Sequence, residues 1–167
     1  MTDCASCGMA LRTKALKALP EGNPLRLKAE LLAPKIFEAT DYLLQIGLAQ
    51  TPGPLAVACT YHVPCHRGWT PTLNDAPREL VTRVPGVELK EMEFPEKCCG
   101  GGGAFFMDFR ELSQGIRSHK LEDIQTTGAK LVLTQCPSCR SYLAPALPDS
   151  TVLRPLSLLA KAYGFGG

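Results

Sequence analysis

The chain has 167 residues, 45% of them hydrophobic, which suffices for one compact domain with an appendage but is cramped for two full domains. Eighteen basic and sixteen acidic residues leave a formal net charge of +2, and no lysine and arginine cluster forms the electrostatic footprint that nucleic-acid binding needs. No apolar run approaches the roughly 18 residues of a membrane span, and the N-terminal residues lack the basic and apolar regions of a signal peptide. We therefore expect a cytoplasmic protein that binds no nucleic acid and does not span a membrane, with membrane association through partners left open.

Helices are predicted for the N-terminal part of the chain. A short one follows the turn-forming segment DCASCGMAL and ends near LPEGNP, a cluster of Pro, Gly and Asn that interrupts helices. From Leu25 to Gly47 apolar residues recur at steps of three and four, which predicts a helix with Pro34 near its start and Gly47 at its end. The turn TPGP at 51–54 then marks the start of a domain.

From residue 54 onward, predicted strands and helices alternate. The segments LAVACTYH (55–62) and AKLVLTQ (129–135) are short, apolar and bounded by turn residues, as buried strands are. The other predicted elements are a weaker strand over 87–94, a short strand at TVLR, and helices over 77–84, over 105–128 and from Pro155. This order predicts an α/β fold with a mainly parallel sheet flanked by helices, and with a helical N-terminal appendage.

Eight cysteines are the most unusual feature of the composition. Their positions are Cys4, Cys7, Cys59, Cys65, Cys98, Cys99, Cys136 and Cys139. Intracellular thiols stay reduced, and cysteine clusters there more often hold metal or do redox work than form disulfides. The vicinal pair would also make a poor disulfide, because neighbouring cysteines bridge each other only with strain. The composition therefore favours a shared metal or cluster.

Five of the cysteines follow predicted strands directly, with the spacing C-x32-C-C-x36-C-x-x-C. Cys65 follows the first strand, Cys98 and Cys99 follow the weaker second strand, and Cys136 and Cys139 follow the strand at 129–135. Because sites in parallel α/β sheets gather at the carboxyl ends of strands, we expect these five side chains to lie close together.

The spacing and the residues around it resemble the cysteine-rich CCG domain. That domain occurs in the B subunit of heterodisulfide reductase and in iron–sulfur subunits of glycolate oxidase, lactate-utilisation and anaerobic glycerol-3-phosphate dehydrogenase systems. TYHVPCHRG is similar to the family's Tyr-His-x-Pro-Cys-His stretch, KCCGGGGAF to its Cys-Cys-Gly core, and TQCPSCRSYL to its closing pair. The resemblance covers about residues 54–163.

The resemblance also implies a domain organisation, because family members usually carry two such domains in tandem. Here DCASCGMAL resembles the last piece of a first domain, and the helix at 25–47 resembles the segment between the domains. Residues 1–50 are accordingly expected to be the tail of a preceding CCG domain plus a linker helix. Residues 51–167 are expected to be a complete CCG domain.

A cofactor and its ligands follow from the same resemblance. Five thiolates are one more than a tetrahedral zinc site or an ordinary four-cysteine cluster needs. In the family, five such sulfurs hold a noncubane 4Fe-4S cluster, whereas some CCG domains hold zinc. The implied ligands are Cys65, Cys98, Cys99, Cys136 and Cys139. At Gly100 and Gly101 the backbone can come close to the cluster, and its N–H groups can stabilise negative charge there.

The function that the resemblance implies is electron transfer. The chain would serve as the iron–sulfur module of a flavin-linked 2-hydroxy-acid oxidoreductase of the glycolate or lactate type, or of a heterodisulfide-reductase-like complex. Its partner would be a flavoprotein or another redox subunit. Three alternatives stay open: a structural zinc domain that docks a partner subunit, direct thiol–disulfide chemistry, and a phosphate cradle at Gly100 to Gly103.

The other cysteines and two of the histidines have less certain roles. Cys59 lies within a predicted buried strand, which favours core packing over ligation. His62 and His66 flank Cys65 and could ligate metal, relay protons or make structural hydrogen bonds. Cys4 and Cys7 would be half of a metal site in a complete first domain, but alone they supply only two ligands.

Overall fold

A four-stranded parallel sheet forms the centre of the computed structural model, which describes residues 1–165 apart from the side chains at positions 68, 69 and 71. The strands are β1 (Val57–Tyr61), β2 (Val87–Leu89), β3 (Leu131–Leu133) and β4 (Thr151–Leu153). They lie in the order β2-β1-β3-β4, and each neighbouring pair is parallel. The predicted α/β class with a parallel sheet is therefore confirmed.

Helices precede the sheet and connect its strands. Those of the N-terminal region are α1 (Ala5–Met9), α2 (Ala15–Ala18), α3 (Pro24–Leu32) and α4 (Ala39–Ile46), with a π-helical turn at Ala10–Lys14. Those among and after the strands are α5 (Ala76–Thr82), α6 (Phe105–Asp108), α7 (Arg110–Thr126), α8 (Pro137–Leu143) and α9 (Pro155–Ala162). Short 3-10 turns lie at Ala33–Lys35, Cys65–Trp69, Pro71–Leu73 and Ala144–Ala146. No helix within the described residues is long and apolar enough to cross a bilayer.

The core is split between the two faces of the sheet. All of β3 is buried, as expected for a parallel strand covered on both sides. Leu131 and Leu133 pack into one hydrophobic cluster, together with Cys59 and Leu158. Val132 points the other way, into a second cluster that contains Ile124 of α7 and three of the predicted ligand cysteines. These three cysteines, Cys99, Cys136 and Cys139, therefore pack against the Val132 face of the sheet.

Two predicted helices are interrupted in the structure. The segment 25–47 contains α3, the 3-10 turn around Pro34 and then α4, whose N-terminus is capped by the Glu38 carboxylate. The segment 105–128 breaks at Phe109, where φ is −127° and ψ is 57°. Apolar residues recur along this segment at helical spacing, but they are buried only in its second half: Leu112 is 60% exposed and Ile124 is 1% exposed.

The predicted second strand is shorter than expected. Only Val87–Leu89 pairs with β1, although the sequence pattern continues to Phe94. The Asp123 carboxylate of α7 accepts hydrogen bonds from the backbone N–H groups of Glu93 and Phe94, at 2.9 Å and 3.3 Å for the shorter bonds. These groups are therefore turned towards α7 instead of a neighbouring strand, and the chain leaves the sheet before Cys98.

A buried polar network joins the N-terminal region to the sheet. The Gln135 amide, at the end of β3, donates hydrogen bonds to the Glu38 carboxylate and, at 3.4 Å, to the Thr40 hydroxyl. The Tyr61 hydroxyl donates to the Gln135 side-chain oxygen at 3.2 Å. In addition, the Ala5 N–H donates to the Gln135 backbone carbonyl at 3.1 Å. The expected helical appendage is therefore packed against the carboxyl end of the sheet.

Candidate metal centre

The five cysteines of the predicted motif meet at the carboxyl edge of the sheet. The Cys98 sulfur accepts hydrogen bonds from the thiols of Cys65 and Cys99. The Cys139 thiol in turn contacts the sulfurs of Cys99 and Cys136, so that the five side chains form one continuous network. The structure therefore brings together every cysteine predicted from the spacing. Their role as metal ligands stays a prediction.

Helix α8 explains how the closing pair is arranged. Cys136 is the N-cap of this helix, and Pro137 occupies the first helical position. The Cys136 sulfur accepts the N–H of Cys139 at 3.4 Å, as a capping side chain does. Hydrogen bonds from the Cys139 thiol and then from its N–H lower the pKa of Cys136 to about 5, although burial opposes them. The C-x-x-C spacing thus places two sulfurs at one helix terminus, where a thiolate is favoured.

The glycines after the cysteine pair are needed for close packing. Gly100 has φ of +86°, and a Cβ there would lie 2.5 Å from the carbonyl oxygen of Ser113. At Gly101 a Cβ would lie 2.6 Å from the Cβ of Tyr142. The Gly100 N–H donates to the Cys98 sulfur at 3.3 Å, and the Gly101 N–H lies close enough to the Cys99 sulfur to lower the pKa of that thiol. Both predicted glycines therefore bring backbone dipoles to the cysteine network.

The five cysteines shift one another's pKa values in opposite directions. Hydrogen bonds from Cys65 and then from Cys99 hold the pKa of Cys98 well below its usual range. The bond that Cys65 donates to Cys98 raises the pKa of Cys65, and the bonds that Cys139 donates to Cys136 and Cys99 raise the pKa of Cys139. For Cys99, the bond from Cys139 lowers the pKa, but the bond to Cys98 and burial outweigh it and raise the pKa to about 11. Hydrogen bonds within the network therefore lower the pKa of Cys98 and Cys136, whereas the pKa values of the other three cysteines are raised.

One edge of the network is buried and the other is open. Cys99, Cys136 and Cys139 are each less than 5% exposed, whereas Cys65 and Cys98 are exposed. A pocket of about 610 Å³ opens beside Cys98, with residues of α7 along its wall. The arrangement can hold a metal centre that is shielded from water on the sheet side and accessible on the side of Cys65 and Cys98.

His62 lies on the buried side of the network. Its residue is 1% exposed, and one ring nitrogen lies within 4.8 Å of the sulfurs of Cys99 and Cys139. Burial, and then the positive charge of Lys120, lower the pKa of the ring to about 4. The Lys120 side chain is itself buried and bonds Asp123 at 3.1 Å. His62 was predicted only as one of two histidines with an undecided role.

The N-terminal region supplies a site residue that the sequence analysis missed. The Ser6 hydroxyl of α1 lies 2.7 Å from the Nδ1 of His66 and 3.8 Å from the Cys136 sulfur. Ser6 stands between Cys4 and Cys7, but contacts across 60 and 130 positions leave no local pattern in the sequence. The second undecided histidine therefore makes a hydrogen bond to the appendage.

The remaining cysteines lie apart from this network. Cys59 is fully buried on the opposite face of the sheet, as expected for a small core residue, and burial raises its pKa to about 11. Cys4 caps α1 and accepts the N–H of Cys7 at 3.3 Å. All eight cysteines fall within the described residues, and none of them forms a disulfide there.

Comparison with known proteins places the chain among other cysteine-rich redox proteins. It is 29% identical to an uncharacterized iron-sulfur protein of Methanococcus maripaludis over 96% of this chain and 32% of that protein. It is 34% identical to the D subunit of the dihydromethanophenazine:CoB--CoM heterodisulfide reductase of Methanosarcina mazei, over 63% of this chain and 27% of that protein. It is 29% identical to the lactate utilization protein A 2 of Bacillus cereus, over 80% of this chain and 57% of that protein.

The chain is thus shorter than its relatives, spanning about a third of the first of them and somewhat over half of the last. A family model of the cysteine-rich domain, abbreviated CCG, matches residues 59–144, which is more than half of the chain. The matched range contains all five cysteines of the network. The chain therefore belongs to the cysteine-rich CCG domain family.

Proposed function

We propose that residues 51–167 are an iron–sulfur redox module. A noncubane 4Fe-4S cluster would be held by Cys65, Cys98, Cys99, Cys136 and Cys139. The observation that carries this proposal is the single network of five sulfurs, drawn from three separate segments to one edge of the sheet. Thiolates are the donors that iron–sulfur clusters use, and five exceed what a tetrahedral zinc ion needs.

The surroundings of the sulfurs also fit such a group. The N–H groups of Gly100 and Cys139 donate hydrogen bonds to sulfur atoms, where they stabilise negative charge. The buried ring of His62 has no hydrogen-bond partner among the described residues, as expected beside a site meant for another group. When bound, the cluster would supply reversible one-electron chemistry. The protein would exclude water on the sheet side and leave Cys65 and Cys98 open to a partner.

The partner is proposed from the relatives. Names among them refer to heterodisulfide reduction and to lactate utilization. A flavoprotein or another redox subunit of a 2-hydroxy-acid oxidoreductase, or of a heterodisulfide-reductase-like complex, is the proposed electron donor or acceptor. A cytoplasmic location is proposed with it, because cysteine clusters in reducing compartments more often hold metal than form disulfides.

The N-terminal region is proposed to be the tail of a preceding CCG domain followed by a linker. Two observations support this. The segment around Cys4 and Cys7 repeats the capped C-x-x-C arrangement of the closing pair. The chain also spans only part of each relative's length. Residues 51–167 would then be the second domain of a tandem pair.

Metal analysis after anaerobic reconstitution tests the proposal. We expect about four iron and four sulfide per chain, with visible absorbance and an EPR signal in one oxidation state. A variant lacking Cys98 should lose most of the iron, whereas Cys7→Ser, at an exposed position, should retain it. A folded protein that binds no iron without oxygen present would contradict the proposal. One zinc per chain and no visible absorbance would instead support the structural zinc alternative.

A further inference from the structure

His62 is the residue of the site whose side chain is least explained by the protein around it. The residue is fully enclosed, and neither ring nitrogen makes a hydrogen bond within the part of the chain that the structure describes. Burying a polar group without a partner destabilises the folded state, so such groups normally have one. The described part of the chain therefore provides no hydrogen-bond partner for the ring nitrogens of His62.

The position of the ring is set by the sheet. His62 follows directly on β1, and its backbone N–H donates to the Leu133 carbonyl of β3 at 2.9 Å. This bond extends the ladder between the two central strands and fixes where the side chain begins. The ring then lies on the same side as Cys99 and Cys139, with a nitrogen within 4.8 Å of both sulfurs. Although His62 lies just beyond the last residue of β1, its backbone is thus fixed to the central strand β3.

Neighbouring groups leave one ring nitrogen available. A neutral imidazole carries one N–H and one lone pair. The Pro95 carbonyl lies nearby, but it accepts the backbone N–H of Val63 at 3.0 Å and makes no hydrogen bond to the ring. The Lys120 ammonium could have donated to the lone pair, but it bonds the Phe94 carbonyl and the Asp123 carboxylate instead. Within the described residues, the lone pair therefore accepts no hydrogen bond.

Metal-binding histidines usually direct their second nitrogen towards a backbone carbonyl or a carboxylate, and the Pro95 carbonyl lies close enough to His62 to influence its pKa. We propose that a ring nitrogen of His62 binds iron directly, at the metal atom that Cys99 and Cys139 also reach. The inference rests on the proposed iron–sulfur function and adds a nitrogen to its sulfur donors. Mixed nitrogen and sulfur ligation raises the potential of iron–sulfur centres, because a neutral imidazole stands where a thiolate would be.

Nitrogen hyperfine coupling is the direct test. The chain contains three histidines, so that labelling with 15N-histidine introduces only three labelled residues. The labelled protein would be reconstituted anaerobically and studied by ENDOR spectroscopy in its paramagnetic state. We expect one strong nitrogen coupling in the wild type. It should vanish in His62→Gln and persist in His66→Gln and in His119→Gln, a matched control at an exposed position of α7.

The midpoint potential and the thermal stability of further His62 variants test the proposal even if His62→Gln does not fold. His62→Cys should keep its iron, and its midpoint potential should fall because a negative thiolate replaces a neutral ring. In the metal-free protein, His62→Leu should not lower the thermal midpoint, because the ring has no hydrogen bond to lose there. A marked fall would indicate a structural role and contradict the proposal.

The possible failures are distinguishable. A wild-type protein that binds no iron overturns both the proposed function and the role of His62. Iron binding without a strong nitrogen coupling, or with a coupling that survives in His62→Gln, overturns the role of His62 alone. A coupling lost only in His62→Gln supports both.

Discussion

The two C-x-x-C segments of this chain share a local structure but differ in their surroundings. In each, the first cysteine caps a helix and accepts the N–H of the second, at 3.3 Å for Cys4 and 3.4 Å for Cys136. Yet burial and the thiol of Cys7 raise the pKa of Cys4, whereas the thiol and N–H of Cys139 lower that of Cys136. The spacing therefore sets the helix cap, and distant residues decide whether the pair joins a larger network.

Replacing one cysteine in each segment should give the largest difference in iron binding between two variants. We expect Cys139→Ser to reduce iron affinity by roughly tenfold or more, since even residues that only support a ligand cost about 10–100-fold. The matched change Cys7→Ser should leave the iron content unchanged, because Cys7 is exposed and lies outside the network. Iron and sulfide analysis of both variants would check this. Equal losses would mean that the two segments serve one centre.

The glycine stretch accompanies only the five-cysteine network and not the segment around Cys4 and Cys7. Its tight packing should affect the free energy of unfolding. Gly101→Ala places a Cβ 2.6 Å from Tyr142, and overpacking of this kind costs about 1–3 kcal/mol in the free energy of unfolding. At Gly102 a Cβ would meet no described atom within 4 Å, so Gly102→Ala is the matched control. Denaturant unfolding of the metal-free proteins measures both. Similar losses in the two variants would contradict the packing argument.

The stability contributed by Asp3, next to the Cys4 and Cys7 segment, should depend on pH. Burial raises the pKa of Asp3 to about 6, although the nearby Arg154 guanidinium opposes it. The folded state therefore binds the extra proton between about pH 4 and pH 6, and stability falls as the pH rises through that window. Across this window, the free energy of unfolding of the wild type should fall by on the order of 1 kcal/mol relative to that of Asp3→Asn, after allowance for the partial exposure of Asp3. Unfolding titrations at about pH 4 and pH 7 would reveal it; a constant difference between the two proteins would argue against the raised pKa.

The smallest effect is expected where the two regions touch. Ser6→Ala removes a hydroxyl that lies near His66 and the Cys136 sulfur. One hydrogen bond contributes about 1 kcal/mol, so iron affinity should fall only a few-fold. Competition with a chelator measures the change, and Ser118→Ala, on the exposed part of α7, is a control. A loss as large as that of Cys139→Ser would make Ser6 a ligand.

Much of the site could be predicted because it depends on local rules. Short apolar runs marked the strands, and the ends of parallel strands share an edge of the sheet, which is why Cys65, Cys98 and Cys136 converge. The interruption of the long helix at Phe109 could not be predicted, since the apolar spacing continues through it. The isolation of His62 and the contact from Ser6 depend on tertiary packing between distant segments, which leaves no periodic signal.

The polar network around Gln135 restricts where the chain can be truncated. A truncated chain that starts at residue 51 would lose Glu38 and Thr40, the acceptors of the Gln135 amide. The Asp3 and Ala5 contacts at the same corner would go with them. Gln135 adjoins Cys136, so an excised domain would expose this polar network to water directly beside its own cysteine network. Any working fragment must therefore keep the preceding segment, whatever its evolutionary origin.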